Sequence, residues 1–393
     1  MTTLVLANAD FYCGDRVVTD QALTIKNDRV GNFVALEDAS DHGEVVDLKG
    51  ASVSPGFIDL QVNGGGGVLW NDFPTADAAR TIWQAHLRTG TTNLLPTYIT
   101  GPLEGMKQAA AAVLELVNSG DTGVLGVHFE GPWIEPSKAG VHDRTHIRSV
   151  NHEDEAVYQS LLPIPTIVTL APELVPAETV NRLSRQGIHI SAGHTNATFA
   201  QMSDAVRAGL TGVTHLHNAM SALASREPGV VGAALAEQTL KAGIIVDGYH
   251  VHFATVKASW NAKKRGDLFL VTDAMPPVGG GPDSFRIGEH EIFYRDGRCQ
   301  TREGVLGGSA IDLASAIRNA IQKVGIPKDE ALRMATLYPA RFLKVEHDYG
   351  QLREGCVANL VVFNNEIVVS KVMFKGRFLG DLHREEVERL ASK

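Results

Sequence analysis

The chain has 393 residues, enough for one large domain and a smaller one. Apolar residues make up 44% and charged residues 21%, the balance of a globular chain with a large core. With 36 Lys and Arg against 45 Asp and Glu, the formal net charge of −9 argues against nucleic acid or an anionic membrane as the main partner, while leaving room for a local basic pocket.

The opening MTTLVLANADFYCGDR has no basic region followed by a long apolar run, so no signal peptide is expected. No stretch approaches the ~20 uninterrupted apolar residues of a membrane span, and the expected compartment is the cytoplasm. Cys13, Cys299 and Cys356 are scattered and odd in number, which indicates no disulfide framework.

Residues 1–54 read as short strands and turns, with NDRVGN as a turn signal inside ALTIKNDRVGNFVAL. Pro55-Gly56 marks a boundary. The middle of the chain alternates. Strand candidates are GFIDLQV, TTNLLPTYI, VLGVHFE, TIVTLAP, IHISAGH, GVTHLHN, AGIIVDG and LFLVTDA. Between them lie helical patterns such as TADAARTIWQAHLRTG, GPLEGMKQAAAAVLELVNSG and QMSDAVRAG, several ending in Gly. Strands alternating with helices predict an α/β fold with a parallel (β/α)8 TIM-like barrel over residues 55–345. A doubly wound open sheet is the alternative, but the Gly64–Gly67 run does not match dinucleotide spacing. Strand-rich stretches return at GCVANLVVF and IVVSKVMFKGRFLG. Residues 1–54 and 346–393 are therefore expected to pair into one small β domain.

Four strand candidates end in residues that apolar runs do not readily bury: Glu130, His194, His215 and Asp273. A divalent metal and its water would offset that burial. In a (β/α)8 barrel the chemistry sits at the C-terminal strand ends. One carboxylate and two imidazoles form a common catalytic zinc set with a position left open. Asp273 reads equally well as a proton carrier beside that water or as a helix N-cap. His142, in GVHDRTH, is either an oxyanion donor or a solvated loop histidine. Arg226 and His250 alone read as surface groups; together near a metal they would hold an anion. His217 shares a strand face with His215 and is not assigned as a ligand.

The motifs HFEGPW, SAGHTNAT, THLHNAM, REPG, DGYHV, VTDAM and MATLYPAR, in this order, resemble the N-acetylglucosamine-6-phosphate deacetylase family of the amidohydrolase superfamily. The resemblance implies a metal-dependent (β/α)8 barrel, with a small β-sandwich built from both chain ends, that hydrolyses the acetamide of N-acetylglucosamine 6-phosphate, with N-acetylgalactosamine 6-phosphate as the alternative substrate. It implies metal ligation by Glu130, His194 and His215, and proton transfer by Asp273 with His142 near the scissile carbonyl. Substrate contacts are implied for Gln61, Val141, Asn218, Ala219, Arg226 and His250, and for a loop at Leu306, Gly307 and Gly308. A homodimer is implied, with the phosphate contacts Arg226 and His250 coming in part from the neighbouring subunit. Many superfamily members carry His-x-His at the end of strand one and bind two metals. Here Gln61-Val62-Asn63 stands there, and amides are poor substitutes for imidazoles. One divalent ion per subunit is therefore expected, Zn2+ best suited, with Fe2+, Co2+ or Mn2+ as alternatives.

Overall fold

The computed structural model describes residues 3–263 and 265–380. The end of the 346–393 segment assigned above to the β domain, residues 381–393, lies outside the described residues. The chain divides into two compact units, Met1–Ile58 with Leu87–Thr92 and Leu313–Lys393, and Asp59–His86 with Asn93–Asp312.

All eight strand candidates of the middle region form strands, and these make one parallel sheet in sequential order. They are β1 (Phe57–Val62), β2 (Thr91–Ile99), β3 (Val127–Glu130), β4 (Thr166–Leu170), β5 (His189–Ala192), β6 (Gly212–Val213), β7 (Lys241–Ile244) and β8 (Leu268–Leu270). Backbone hydrogen bonds return the end of β8 to β1: Asp273 N donates to Gln61 O and Asn63 N to Ala274 O, both at 2.9 Å. The fold is the predicted (β/α)8 barrel.

Every residue of β1 through β5 is buried, as expected for strands covered on both faces. Alternation turns His128 and Glu130 of β3 to the same side. Beneath the strand ends, His128 Nε2 lies 2.7 Å from Thr169 Oγ1, which lies 2.6 Å from Thr214 Oγ1. These hydroxyls satisfy an imidazole that burial pushes down to about 4.

The helices Ala76–Leu87, Leu103–Ser119 and Phe199–Ala208 fall on the predicted helical patterns. The last two end at left-handed Gly120 and Gly209, and Thr198 with Gln201 forms a capping box at the start of the third. The Gly64–Gly67 run is a tight hairpin. Gly64–Gly65 pairs with Val68–Leu69, and Gly66 and Gly67 turn at φ 59° and 84°, which glycine adopts without a Cβ penalty.

In the other unit, N- and C-terminal strands share one sheet. Leu360–Phe363 runs antiparallel to Glu44–Pro55, which runs parallel to Thr3–Tyr12. The sheet wraps an apolar core drawn from strands along its whole path, including Leu6, Phe11, Leu23, Val53, Leu360 and Met373. Val5 and Ala7 alternate onto the opposite face.

One element escaped the sequence reading. Residues 284–309 form a four-stranded antiparallel sheet, Ser284–Ile287, His290–Arg295, Arg298–Gln300 and Leu306–Ser309. Leu306–Gly308, expected as a loop, is thus part of a strand. The Gly-Gly pair in VLGGSA disguised it, since glycine is depleted in strands. Here the pair serves close packing: a Cβ on Gly308 would lie 2.4 Å from the Met275 side chain.

Gly126 sits just before β3, where a Cβ would lie 1.9 Å from the Pro165 carbonyl oxygen. That oxygen accepts the Val127 N–H at 3.1 Å, so the clash falls on the β3–β4 ladder itself. Gly126→Ala should lower unfolding stability by about 1–3 kcal/mol, measured by chemical denaturation. An unchanged midpoint would mean that the ladder yields without strain.

Candidate active site

Glu130 is the last residue of β3, and His194 and His215 lie two residues beyond β5 and β6. Asp273 follows β8. His194, His215 and Asp273 have φ of 49°, 32° and 54°, as have nearby His217 (82°) and Ala219 (49°). Left-handed backbone at a non-glycine residue costs on the order of 1–3 kcal/mol and persists only where the surroundings enforce it. Here neighbouring loops are tied together. Thr195 N donates to Ala219 O, and Ser221 N to Thr195 O, both at 3.1 Å. The strain turns each side chain off its strand and inward.

Glu130 Oε1 lies 3.1 Å from His194 Nε2 and 2.8 Å from His215 Nε2, and the two Nε2 atoms are 3.1 Å apart. All three residues are buried. Three ligands of one tetrahedral zinc, each about 2.0–2.1 Å from it, stand roughly 3.3 Å from one another. The three separations fall within about half an ångström of that spacing. His194 Nδ1 is 2.8 Å from the Lys138 carbonyl, which can only accept; Nδ1 therefore carries the proton and Nε2 presents its lone pair. The donor set fits a divalent ion. Burial alone would raise the Glu130 carboxyl; while His194 and His215 hold protons on Nε2, their hydrogen bonds and charge keep it well below the usual carboxylate range, and a bound cation would take the place of those protons.

Gln61 and Asn63 take unexpected parts. Gln61 Nε2 donates to both Glu130 oxygens and to Asp273 Oδ1, each at 3.1 Å, and Asn63 Nδ2 donates to Asp273 Oδ1 at 2.6 Å. The two amides hold two carboxylates side by side. Burial and the Glu130 charge push the Asp273 carboxyl up to about 6. Its Oδ2 accepts no hydrogen bond from the described residues. Asp273 caps no helix, which removes the N-cap alternative.

His142 is buried and not a solvated loop residue. Its ring stacks on His194 with centroids 4.3 Å apart, and its Nδ1 lies 2.9 Å from Thr100 Oγ1. Burial, with the charge of His194, pushes it down to about 3, so the ring is neutral near pH 7.

These groups border a cavity of about 300 Å³. Of the predicted residues, Glu130, Val141, His142, His194, His215, Asn218, Ala219, His250, Asp273, Leu306 and Gly308 line it. Gln61 lies under them, tied to the two carboxylates, and Gly307 packs toward Ile292 and Val141. Arg226 is exposed and does not line the cavity of its own chain. His217 Nε2 pairs with Ser259 Oγ at 2.7 Å, consistent with its exclusion from the ligand set. The sequence reading missed Lys138, Thr100 and Asp247. Lys138 acts on His194 through a backbone carbonyl, which leaves no residue-type signal. Asp247 Oδ2 lies 2.6 Å from His250 Nδ1.

The amidohydrolase family model matches residues 52–379. The chain belongs to the amidohydrolase family. It is similar to a Shewanella N-acetylgalactosamine-6-phosphate deacetylase, 40% identical over 84% of each chain. It is also similar to the Haemophilus influenzae N-acetylglucosamine-6-phosphate deacetylase, 35% identical over 95% of this chain and 98% of that one. The crystal structure of N-acetylglucosamine-6-phosphate deacetylase from Pasteurella multocida superposes with a TM-score of 0.93 at 37% identity, covering 96% of this chain and 99% of that one. The amidohydrolase superfamily is metal-dependent, and Glu130, His194 and His215 form a cluster of donor atoms with the spacing to hold a metal ion.

In this amidohydrolase one further carboxyl is fully buried beside the site. Asp59 accepts from Thr272 Oγ1 at 2.5 Å and from the amides of Gln61 and Thr272 at 3.2 Å. Burial outweighs these donors and pushes it up from 3.8 to about 7. Between those values the folded chain keeps a proton that the unfolded chain has lost. The stability Asp59 contributes is therefore fully present below about pH 3.8 and is lost as pH rises toward 7. Asp59→Asn keeps the acceptor and cannot ionise. The wild type should lose stability relative to it from pH 4 to 7, at up to about 1.4 kcal/mol per pH unit. A difference independent of pH would mean that Asp59 stays ionised.

Proposed function

We propose that this amide hydrolase removes the acetyl group of N-acetyl-D-glucosamine 6-phosphate, giving D-glucosamine 6-phosphate and acetate. The observation that carries the reading is the convergence of a three-ligand metal set, a buried carboxylate and a neutral imidazole on one cavity. The relatives named for the glucosamine and galactosamine substrates both match over most of their lengths, so N-acetylgalactosamine 6-phosphate is the second reading. The two sugars differ at one hydroxyl.

Glu130, His194 and His215 would hold one divalent ion per subunit, with Zn2+ best suited to a Glu/His2 set and Fe2+, Co2+ or Mn2+ also accepted. When bound, the ion supplies Lewis-acid polarisation of the acetamide carbonyl and acidifies the attacking water. Asp273 is poised to take that water's proton on Oδ2, because Oδ1 is occupied by Gln61 and Asn63. It then returns the proton to the departing amine nitrogen. In the tautomer in which Nδ1 accepts from the Thr100 hydroxyl, the neutral His142 ring carries its proton on Nε2 and donates it to the developing oxyanion. Asn218, Ala219, Val141, Leu306 and Gly308 shape the cavity around the sugar.

His250 and Arg226 are proposed to bind the phosphate. Arg226 is exposed and away from its own cavity, which supports a homodimer in which it reaches the neighbouring subunit's substrate. Cytoplasmic location suits the three buried free thiols.

Acetate release from a panel of phosphorylated and unphosphorylated N-acetylhexosamines, with and without chelator and with elemental analysis, tests the reading. The expected result is preference for the glucosamine 6-phosphate derivative, loss on chelation and recovery with one metal equivalent. Two tight metals per chain, or no acetate from any phosphorylated sugar, would sink it. Asp273→Asn should lower kcat by about 10²–10⁴-fold with metal content retained. Near-normal kcat in that variant would remove Asp273 from the proton path.

A further inference from the structure

His250 lines the cavity from the segment after β7, yet its side chain is only 7% exposed. Its Nδ1 is 2.6 Å from Asp247 Oδ2, and its Nε2 has no hydrogen-bond partner among the described residues. Asp247 is equally enclosed, at 6%. Its other oxygen, Oδ1, accepts the backbone N–H groups of Tyr249 and His250, both at 2.8 Å. One carboxylate therefore fixes the turn that carries the histidine and also one edge of the histidine ring. Three of its roughly four acceptor sites are thus engaged with this turn and this ring.

We propose that Asp247 is a positioning residue for recognition of the substrate's anionic group: it locks the His250 ring so that Nε2 points into the cavity. This rests on the phosphate reading of His250 given above. A ring that gives Nδ1–H to a carboxylate can donate from Nε2 only as the imidazolium. That form both hydrogen-bonds a phosphate oxygen and offsets its charge. Without Asp247 the ring is free to rotate about its side-chain bonds and to choose its tautomer, and the grip on the anion weakens. A carboxylate acting through an imidazole in this way is familiar from metal sites, where removing such a partner costs roughly 10–100-fold.

The test compares wild type, Asp247→Ala, Asp247→Asn, His250→Ala and the Asp247→Ala/His250→Ala double variant of the metal-loaded enzyme. Each is assayed on N-acetylglucosamine 6-phosphate and on N-acetylglucosamine. Asp247→Asn keeps an oxygen for the two backbone amides, so it separates the ring's loss from collapse of the turn. In both Asp247 variants kcat/KM for the phosphorylated sugar should fall at least about tenfold more than for the unphosphorylated one, mostly through KM. The Asp247→Ala effect should vanish in the His250→Ala background. An equal fall on both sugars, or an effect that survives undiminished without His250, overturns the assignment. A wild-type enzyme that does not prefer the phosphorylated sugar overturns the phosphate reading itself, and Asp247's role with it.

Discussion

A single buried carboxylate oxygen organises the mouth of this barrel. Glu130 Oε1 meets His194 Nε2, His215 Nε2 and Gln61 Nε2 within 2.8–3.1 Å. An ionised carboxylate in such a place is costly unless charge of opposite sign stands beside it. No Lys or Arg side chain forms an ion pair with Glu130 among the described residues, and the two imidazoles can serve as ligands only when neutral at Nε2. His194 is already held in that tautomer by the Lys138 carbonyl. The donor set suits a divalent cation, which would supply that compensation in place of protons on the two imidazoles.

Positioning these groups draws on the barrel's closure. Gln61 supplies the carbonyl that accepts Asp273 N where β8 returns to β1, and its side-chain amide bridges Asp273 to Glu130. The same residue thus joins the ring of strands and spaces the two carboxylates. The left-handed backbone at His194, His215 and Asp273 belongs to the same construction. Strand residues alternate between the barrel interior and the outer face. Glu130 reaches the site from the last residue of its strand, whereas His194, His215 and Asp273 do so after the chain has left strand geometry. The strain at these positions is offset by the packed strands that precede each one.

The strands were legible because full burial on both faces writes itself as apolar runs, and all eight runs became barrel strands. Glu130, His194, His215 and Asp273 were legible because they interrupt those runs at their ends. What escaped notice works without such contrast. The sheet over 284–309 is half-exposed and short-stranded, with glycines where it packs closest, so its pattern is weak. Lys138 contributes a carbonyl, which any residue would supply. Thr100 acts through His142, 42 residues further on, and Asp247 through His250, three residues on in the same turn, and neither pairing leaves a mark in the apolar pattern.

Gln61 and Asn63 show most clearly how a residue type can be read correctly and still be underestimated. As amides they were read as the absence of ligands. In the fold their nitrogens point at Asp273 Oδ1, so they act as donors where a histidine pair would present lone pairs to a second ion. Two N–H groups on Oδ1 favour the carboxylate form, while burial and the nearby Glu130 charge oppose it. The opposing influences leave Asp273 near 6, between an ordinary carboxylate and neutrality. A group at that level is mostly ionised at pH 7 yet basic enough to accept a proton in one step and surrender it in the next. Under the proposed one-metal reading, the amides at strand one offer no lone-pair nitrogen to a second cation and bear directly on the carboxylate proposed to move the proton.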